Sequence, residues 1–167
     1  PVDNDRGNGM PARSAQWKLA SEYSRVKHFE YSCTRKEAKL IYVYELLTSP
    51  ASEATVTYTV TPDGTVHTAL DYRHAKGLPE LPEFGMLMKI PADYDRLTWY
   101  GFGPAETYAD RTKGAKLGIY TNRVADNMAG YVKPQECGNH TGVRWAAVTD
   151  TNGIGLRFAA PEPMEFS

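Results

Sequence analysis

The sequence is short of several things, and each shortage removes a class of function. Only two cysteines, Cys33 and Cys137, occur in 167 residues. That is too few for a disulfide-stapled scaffold, so the plain reading of both is an unpaired thiol. Neither has a CxxC partner or a histidine at metal-ligand spacing, so no zinc site is expected. The longest apolar run, Leu40 to Tyr44, has the length of a strand; a membrane-spanning helix needs roughly 20 apolar residues. Acids and bases nearly cancel, leaving a formal net charge of −1. A nucleic-acid binder would carry a basic patch, and none is present. No serine sits in a nucleophile elbow. The "GNG" at 7–9 lacks the lysine and the following helix pattern of a phosphate loop. There is no internal repeat and no low-complexity segment. The chain opens on "PVDNDRG" rather than on Met or a signal peptide. It reads as a fragment of a longer protein, with its compartment left open.

What is present is a globular chain with period-two patterning. A hydrophobic fraction of 41% is enough to build a core, and the length suits a single domain over 1–167. "PVDNDRGNGMPA" reads as a loop, and Pro11 can open a helix. One short helix is predicted over 12–23, on an Ala15, Leu19, Tyr23 stripe with Trp17 beside it. From Val26 onward apolar residues alternate. "VKHFEYSC" is a strand. "KLIYVYELL" is a strand apolar on both faces. "TVTYTVT" places Val56, Tyr58 and Val60 on one face. "TPDGT" at 61–65 is a turn, and Val66 to Tyr72 returns as the second strand of a hairpin. Pro79, Pro82 and Pro91 exclude a continuous helix over that stretch. "FGMLMKI", "RLTWYGFG", "RWAAVTD" and "GLRFAA" are further strands, with "PEPMEFS" beginning another. The stretch 104–142 reads as irregular. About eight strands without βα alternation predict a mainly antiparallel β domain, a large sandwich.

The candidate chemistry is thin. A glycosidase needs two facing carboxyls. Asp3/Asp5, Glu106/Asp110 and Glu136 are the candidates. Turn-making and helix-capping account for Asp3 and Asp5, and Arg111 beside Glu106 and Asp110 suggests an ion pair. His28, His67, His74 and His140 show no acid–base arrangement. Trp99, Tyr100, Phe102, Tyr108, Tyr120 and Tyr131 could stack on sugar rings, or pack a core.

Several stretches taken together resemble a known family. "PVDNDRG" ahead of a Trp-containing helix, "TWYGFGPAETYADR", "LGIY", "YVKPQECGNHTGVRW" and "GLRF" are similar, in order and spacing, to the C-terminal domain of the large β-galactosidases of glycoside hydrolase family 2. The resemblance implies an antiparallel supersandwich like that of galactose mutarotase, truncated at its C-terminal end. It implies a parent enzyme that hydrolyses terminal β-galactosides with retention, using two glutamates from a (β/α)₈ barrel absent from this chain. No catalytic residue, metal or cofactor is therefore expected here, any metal ions of the parent being bound elsewhere. The family's substrate-pocket tryptophan is not transferred to Trp99 or Trp145. The implied partners are a galactoside, reached through the parent, and the catalytic barrel. A homo-oligomeric parent, bacterial and either cytoplasmic or periplasmic, is in keeping with the family. No nucleic-acid or membrane partner is expected.

The resemblance also implies a substrate-adjacent loop formed by Asp3, Asn4, Asp5, Arg6, Gly7, Asn8 and Gly9. Its mobile part would be Arg6 to Met10, hinged at Gly7. Trp99, Tyr100, Glu106, Tyr108, Asp110, Arg111 and Glu136 are sugar-facing or structural on this reading. Glu106, Asp110 and Arg111 are expected to contact "YVKPQECG" and so pin the irregular region. The rival readings are a carbohydrate-binding module, an aldose epimerase and an assembly domain.

Overall fold

The computed structural model describes residues 2–167; Pro1, the first residue of the expected loop, lies outside them. The chain forms two compact units, one ending at Leu87 and the other spanning Met88–Ser167. Each holds one four-stranded antiparallel sheet. The expected mainly β, antiparallel class is what the chain adopts.

The first unit opens with three helical turns, α1 (Asp3–Gly7), α2 (Met10–Arg13) and α3 (Trp17–Ala20). Two expectations fail here. Residues 3–7 are helical rather than loop, because the Asp5 carboxylate accepts the Val2 N–H at 2.7 Å. Asp3 and Asp5 also lie in the first turn, where negative charge suits the helix dipole. The single helix over 12–23 is instead broken between Arg13 and Trp17. Trp17 is tied down from outside the helix: its indole N–H donates to the Pro79 carbonyl at 3.2 Å, and its ring meets Tyr72 edge-on.

The sheet of this unit runs β1 (Arg25–Cys33), β2 (Ala38–Leu46), β3 (Ser52–Val60), β4 (Val66–Arg73), each strand beside the next. The β3–β4 turn follows from its sequence. Asp63 accepts from the Thr61 hydroxyl at 2.5 Å and the Thr65 N–H at 3.0 Å, and Gly64 takes φ +86°. Cross-strand register puts Phe29 opposite Tyr42 and Tyr42 opposite Val56. Phe29, Tyr31, Tyr42, Tyr44 and Tyr58 thus form a chain of ring contacts on one face. The predicted strand "FGMLMKI" does not form. Phe84 touches Tyr72, but no described strand lies beside 84–90. Strand propensity without a hydrogen-bonded neighbour does not make a strand.

The second unit orders its strands β6 (Lys116–Arg123), β5 (Arg96–Gly103), β7 (His140–Thr149), β8 (Gly155–Phe166). β6 lies inside the stretch expected to be irregular. Its pattern is inverted: Leu117 and Ile119 are exposed, while Gly118, Tyr120 and Asn122 face inward. The "GLRFAA" strand also continues through Pro161 and Pro163 to Phe166, on the outside of the sheet. The turn before it is built by Asp150, which accepts from the N–H groups of Asn152 and Ile154, both at 2.8 Å.

In β5 every second residue is buried: Leu97, Trp99, Gly101 and Gly103. Leu97, Trp99, Val143, Ala146 and Val148 form the core. The glycines of "WYGFG" are there for clearance. A Cβ on Gly101 would lie 2.8 Å from Val143 Cγ2 and 3.0 Å from its Cα. A Cβ on Gly103 would lie 2.7 Å from the Tyr120 ring. Gly101→Ala is therefore expected to cost about 1–3 kcal/mol through overpacking. Thermal melting should show a loss of several degrees, at about 2–4 °C per kcal/mol; an unchanged melting temperature would refute the clearance argument.

Candidate functional site

The polar groups of the second unit converge where the segment after β5 meets the segment before β7. Glu106 is the centre. Its side chain is 16% exposed, so its charge needs donors. Three come from separate stretches: the Arg111 guanidinium at 2.6 Å, the Tyr131 hydroxyl, and the Gly138 N–H at 2.7 Å. Burial alone would raise the Glu106 carboxyl, but the hydrogen bonds from Tyr131 and Gly138 and the charge of Arg111 outweigh it. The carboxyl is held below its ordinary range. Arg111 also lies over two rings, 5.0 Å from the Tyr108 centroid and 5.6 Å from that of Tyr131. A tight turn sets this up, since Tyr108 and Arg111 exchange backbone hydrogen bonds. Gly138 is shaped for its role: φ is +83°, and a Cβ there would lie 2.8 Å from the Asn127 carbonyl oxygen.

Directly behind lies a second polar layer. The Thr107 N–H donates to the Asn139 carbonyl at 2.7 Å. Its hydroxyl meets that of Thr141 at 2.9 Å and accepts the Thr141 N–H at 2.8 Å. Asn139 Nδ2 donates to the Thr107 carbonyl at 3.1 Å and to Glu165 at 3.0 Å. His140 stacks on Trp99 with centroids 4.1 Å apart, and its Nε2 lies 3.2 Å from Asn127 Oδ1. Trp99 itself is 1% exposed and donates its indole N–H to the Phe102 carbonyl at 3.0 Å.

The expected residues divide accordingly. Glu106, Tyr108 and Arg111 come together with Tyr131 and Gly138 of "YVKPQECG". Asp110 is exposed on the turn and stands outside the network, because the turn points Arg111, not Asp110, at Glu106. Glu136 is exposed. Arg144 donates to the Gly142 carbonyl and covers the Tyr100 ring at 5.2 Å. Trp99 is core and offers no face to a ligand. Asp3, Asn4, Arg6, Gly7 and Asn8 are exposed, and Asp5 and Gly9 half-buried, on the first helical turn and its exit. Asp3 pairs with Arg6 at 3.5 Å. Gly9, not Gly7, has the left-handed backbone, with φ +75°. Thr107, Asn127, Asn139 and Thr141 were not singled out by sequence reasoning; short neutral polar residues look like turn residues until their burial is seen. The four histidines remain scattered, and His140 is buried, so no acid–base pocket for an epimerase forms among the described residues.

Comparison with known proteins places this arrangement. A family model described as "Beta galactosidase small chain" matches residues 1–167. The chain belongs to the β-galactosidase small-chain family. Among similar proteins, a "Beta-galactosidase" of Halalkalibacterium halodurans is 40% identical over 98% of this chain and 17% of its own length. One of Streptococcus thermophilus is 40% identical over 99% of the chain and 16% of its own. A "Beta-galactosidase small subunit" of Latilactobacillus sakei is 28% identical, over 88% of the chain and 52% of that protein. The small-chain domain thus spans about a sixth of the two longer relatives.

Within this small-chain domain, Glu106→Ala is expected to cost about 1–3 kcal/mol, because the Tyr131 hydroxyl and Gly138 N–H lose their acceptor. Arg111→Ala should cost less, since the guanidinium is half exposed and screened. Denaturant titration of both variants checks the order; an Arg111→Ala protein as stable as wild type would dismiss the pinning role. The pH dependence has a defined sign. A carboxyl lowered on folding gives its full stabilisation above the unfolded value, about 4.3, and loses it as pH falls through the folded value. Stability should drop below about pH 4.3 in wild type and drop less in Glu106→Gln, as read from urea midpoints.

Proposed function

We propose that this chain is a non-catalytic part of an enzyme that hydrolyses terminal β-galactosides with retention. Its contribution is to wall the active site and to supply one mobile loop, Arg6 to Met10. The observation that carries this reading is the match to the small-chain family along all 167 residues, with 40% identical relatives named β-galactosidase. The two catalytic glutamates belong to a barrel domain outside these residues, which is the chain's principal partner. The galactoside is met jointly with that domain, and any metal ions of the parent are bound elsewhere.

The chemistry of the described residues supports a passive role. The best-placed carboxylate, Glu106, has both oxygens engaged by donors and is held ionised. A general acid needs the opposite environment, one that keeps its proton near neutral pH. A nucleophile or base would need a free oxygen facing a substrate. The loop reading rests on α1 and its exit. The exposed turn α1 ends at Gly7, and Gly9, which leads into α2, has a left-handed backbone that favours glycine.

Two measurements test the proposal. The isolated chain should release no nitrophenol from a nitrophenyl β-galactoside, and turnover by it alone would overturn the non-catalytic reading. In the parent enzyme, Gly9→Val strains the loop exit, and kcat and KM should change together, lowering kcat/KM by about tenfold. Kinetics within twofold of wild type would remove the loop from the active site.

A further inference from the structure

His140 is a titratable ring that the proposed function does not use, and its surroundings are unusual. It is 1% exposed, it stacks on the buried Trp99, and it pairs with Phe166 across β7 and β8. Its Nε2 lies against Asn127 Oδ1, while Nδ1 has no hydrogen-bond partner among the described residues. The Phe102 carbonyl on β5 accepts the Trp99 indole N–H and, with its second lone pair, favours a proton on His140.

Asn127 is the other half of the arrangement. It ends the 3₁₀ turn Val124–Asn127 and is held by a paired amide contact with Asn122 of β6, at 2.9 and 3.3 Å. Its Nδ2 also donates to the carbonyls of Arg123 and Val124. Its backbone carbonyl packs against Gly138. The segment from Val124 to Asn139 is therefore held by several polar contacts, among them Asn127 against His140 and Asn122, Tyr131 and Gly138 on Glu106, and Asn139 against Thr107 and Glu165.

We propose that His140 is a proton-sensitive lock on the segment 124–139: neutral, it holds Asn127 and the segment closed; protonated, it leaves the Trp99 stack and lets the segment open. A charged imidazolium would have to be held almost wholly out of water, stacked on Trp99, a cost that the acceptors around it do not fully offset. The surrounding charged groups do not remove this cost. They are Glu106 and Arg111 on the segment after β5, Asp126 on the 3₁₀ turn, and Glu165 on β8. Each carboxylate among them has a partner of its own. Burial pushes the His140 pKa below its ordinary value and outweighs the opposite pulls of the Glu106 charge and the Phe102 carbonyl. A histidine lowered on folding stays neutral above the unfolded value of about 6.5 and destabilises the closed form as pH falls below it. This range lies above the Glu106 transition, so the two are separable.

The test is hydrogen–deuterium exchange by mass spectrometry on the full-length protein, between pH 7.5 and 5, corrected for intrinsic exchange. Peptides covering 124–139 should lose protection progressively as pH falls over that range. A β3 peptide should keep its protection. His140→Phe preserves a stacked ring without a proton, and His140→Gln preserves a hydrogen bond to Asn127. Either variant that folds should show no such step. Unchanged protection of 124–139 in wild type would overturn the lock, and so would a step that persists in the variants. Glu106→Gln should retain the step, and its loss there would assign the switch to the carboxylate instead.

Discussion

A carboxylate that is mostly withdrawn from water must be met by donors, and the demand of Glu106 decides where three distant stretches of the second unit go. Arg111 is brought by a tight turn, Tyr131 by the segment after β6, and Gly138 by the lead-in to β7. No single contact of this set is strong in isolation. Together they give a region poor in regular structure a defined path. The second polar layer, from Thr107 to Thr141, repeats the logic with neutral groups. The first unit shows no comparable buried polar layer among its described residues and relies on its hairpins and aromatic face.

This has a bearing on what kind of protein the chain can be. Polar residues are gathered and satisfied by one another, which builds a rigid support and uses up the groups that could act on a ligand. Aromatic residues follow the same course in β5, where Trp99 turns inward onto His140 and Tyr120. The "WYGFGPAETYADR" stretch, rich in sugar-binding residue types, spends them on architecture. That allocation is in keeping with the proposed non-catalytic role.

Much of the fold could be read from alternation alone. β1 to β5, β7 and the start of β8 fall where apolar residues recur every second position, and the Asp63–Gly64 turn where Asp and Gly demand it. The failures are physical. β6 hides because its inward positions are Gly118, Tyr120 and Asn122, so its most hydrophobic residues point the wrong way. "FGMLMKI" has the composition of a strand but no neighbour to pair with. The opening helix depends on a side chain reaching back to a backbone N–H, a contact with no hydrophobic period. Of the site, Glu106 and Arg111 could be foreseen from their proximity in sequence, and the role of "YVKPQECG" from its polarity and glycine. The burial of His140 could not, since a histidine beside asparagine and threonine reads as surface.

The route of β8 carries a last consequence. It is an outermost strand, and Pro161 and Pro163 stand within it. Neither can donate a backbone hydrogen bond, so the free border of that sheet offers an interrupted row of donors. A stray extended peptide finds no continuous ladder there to zip onto. The two prolines thus protect this strand against runaway self-assembly.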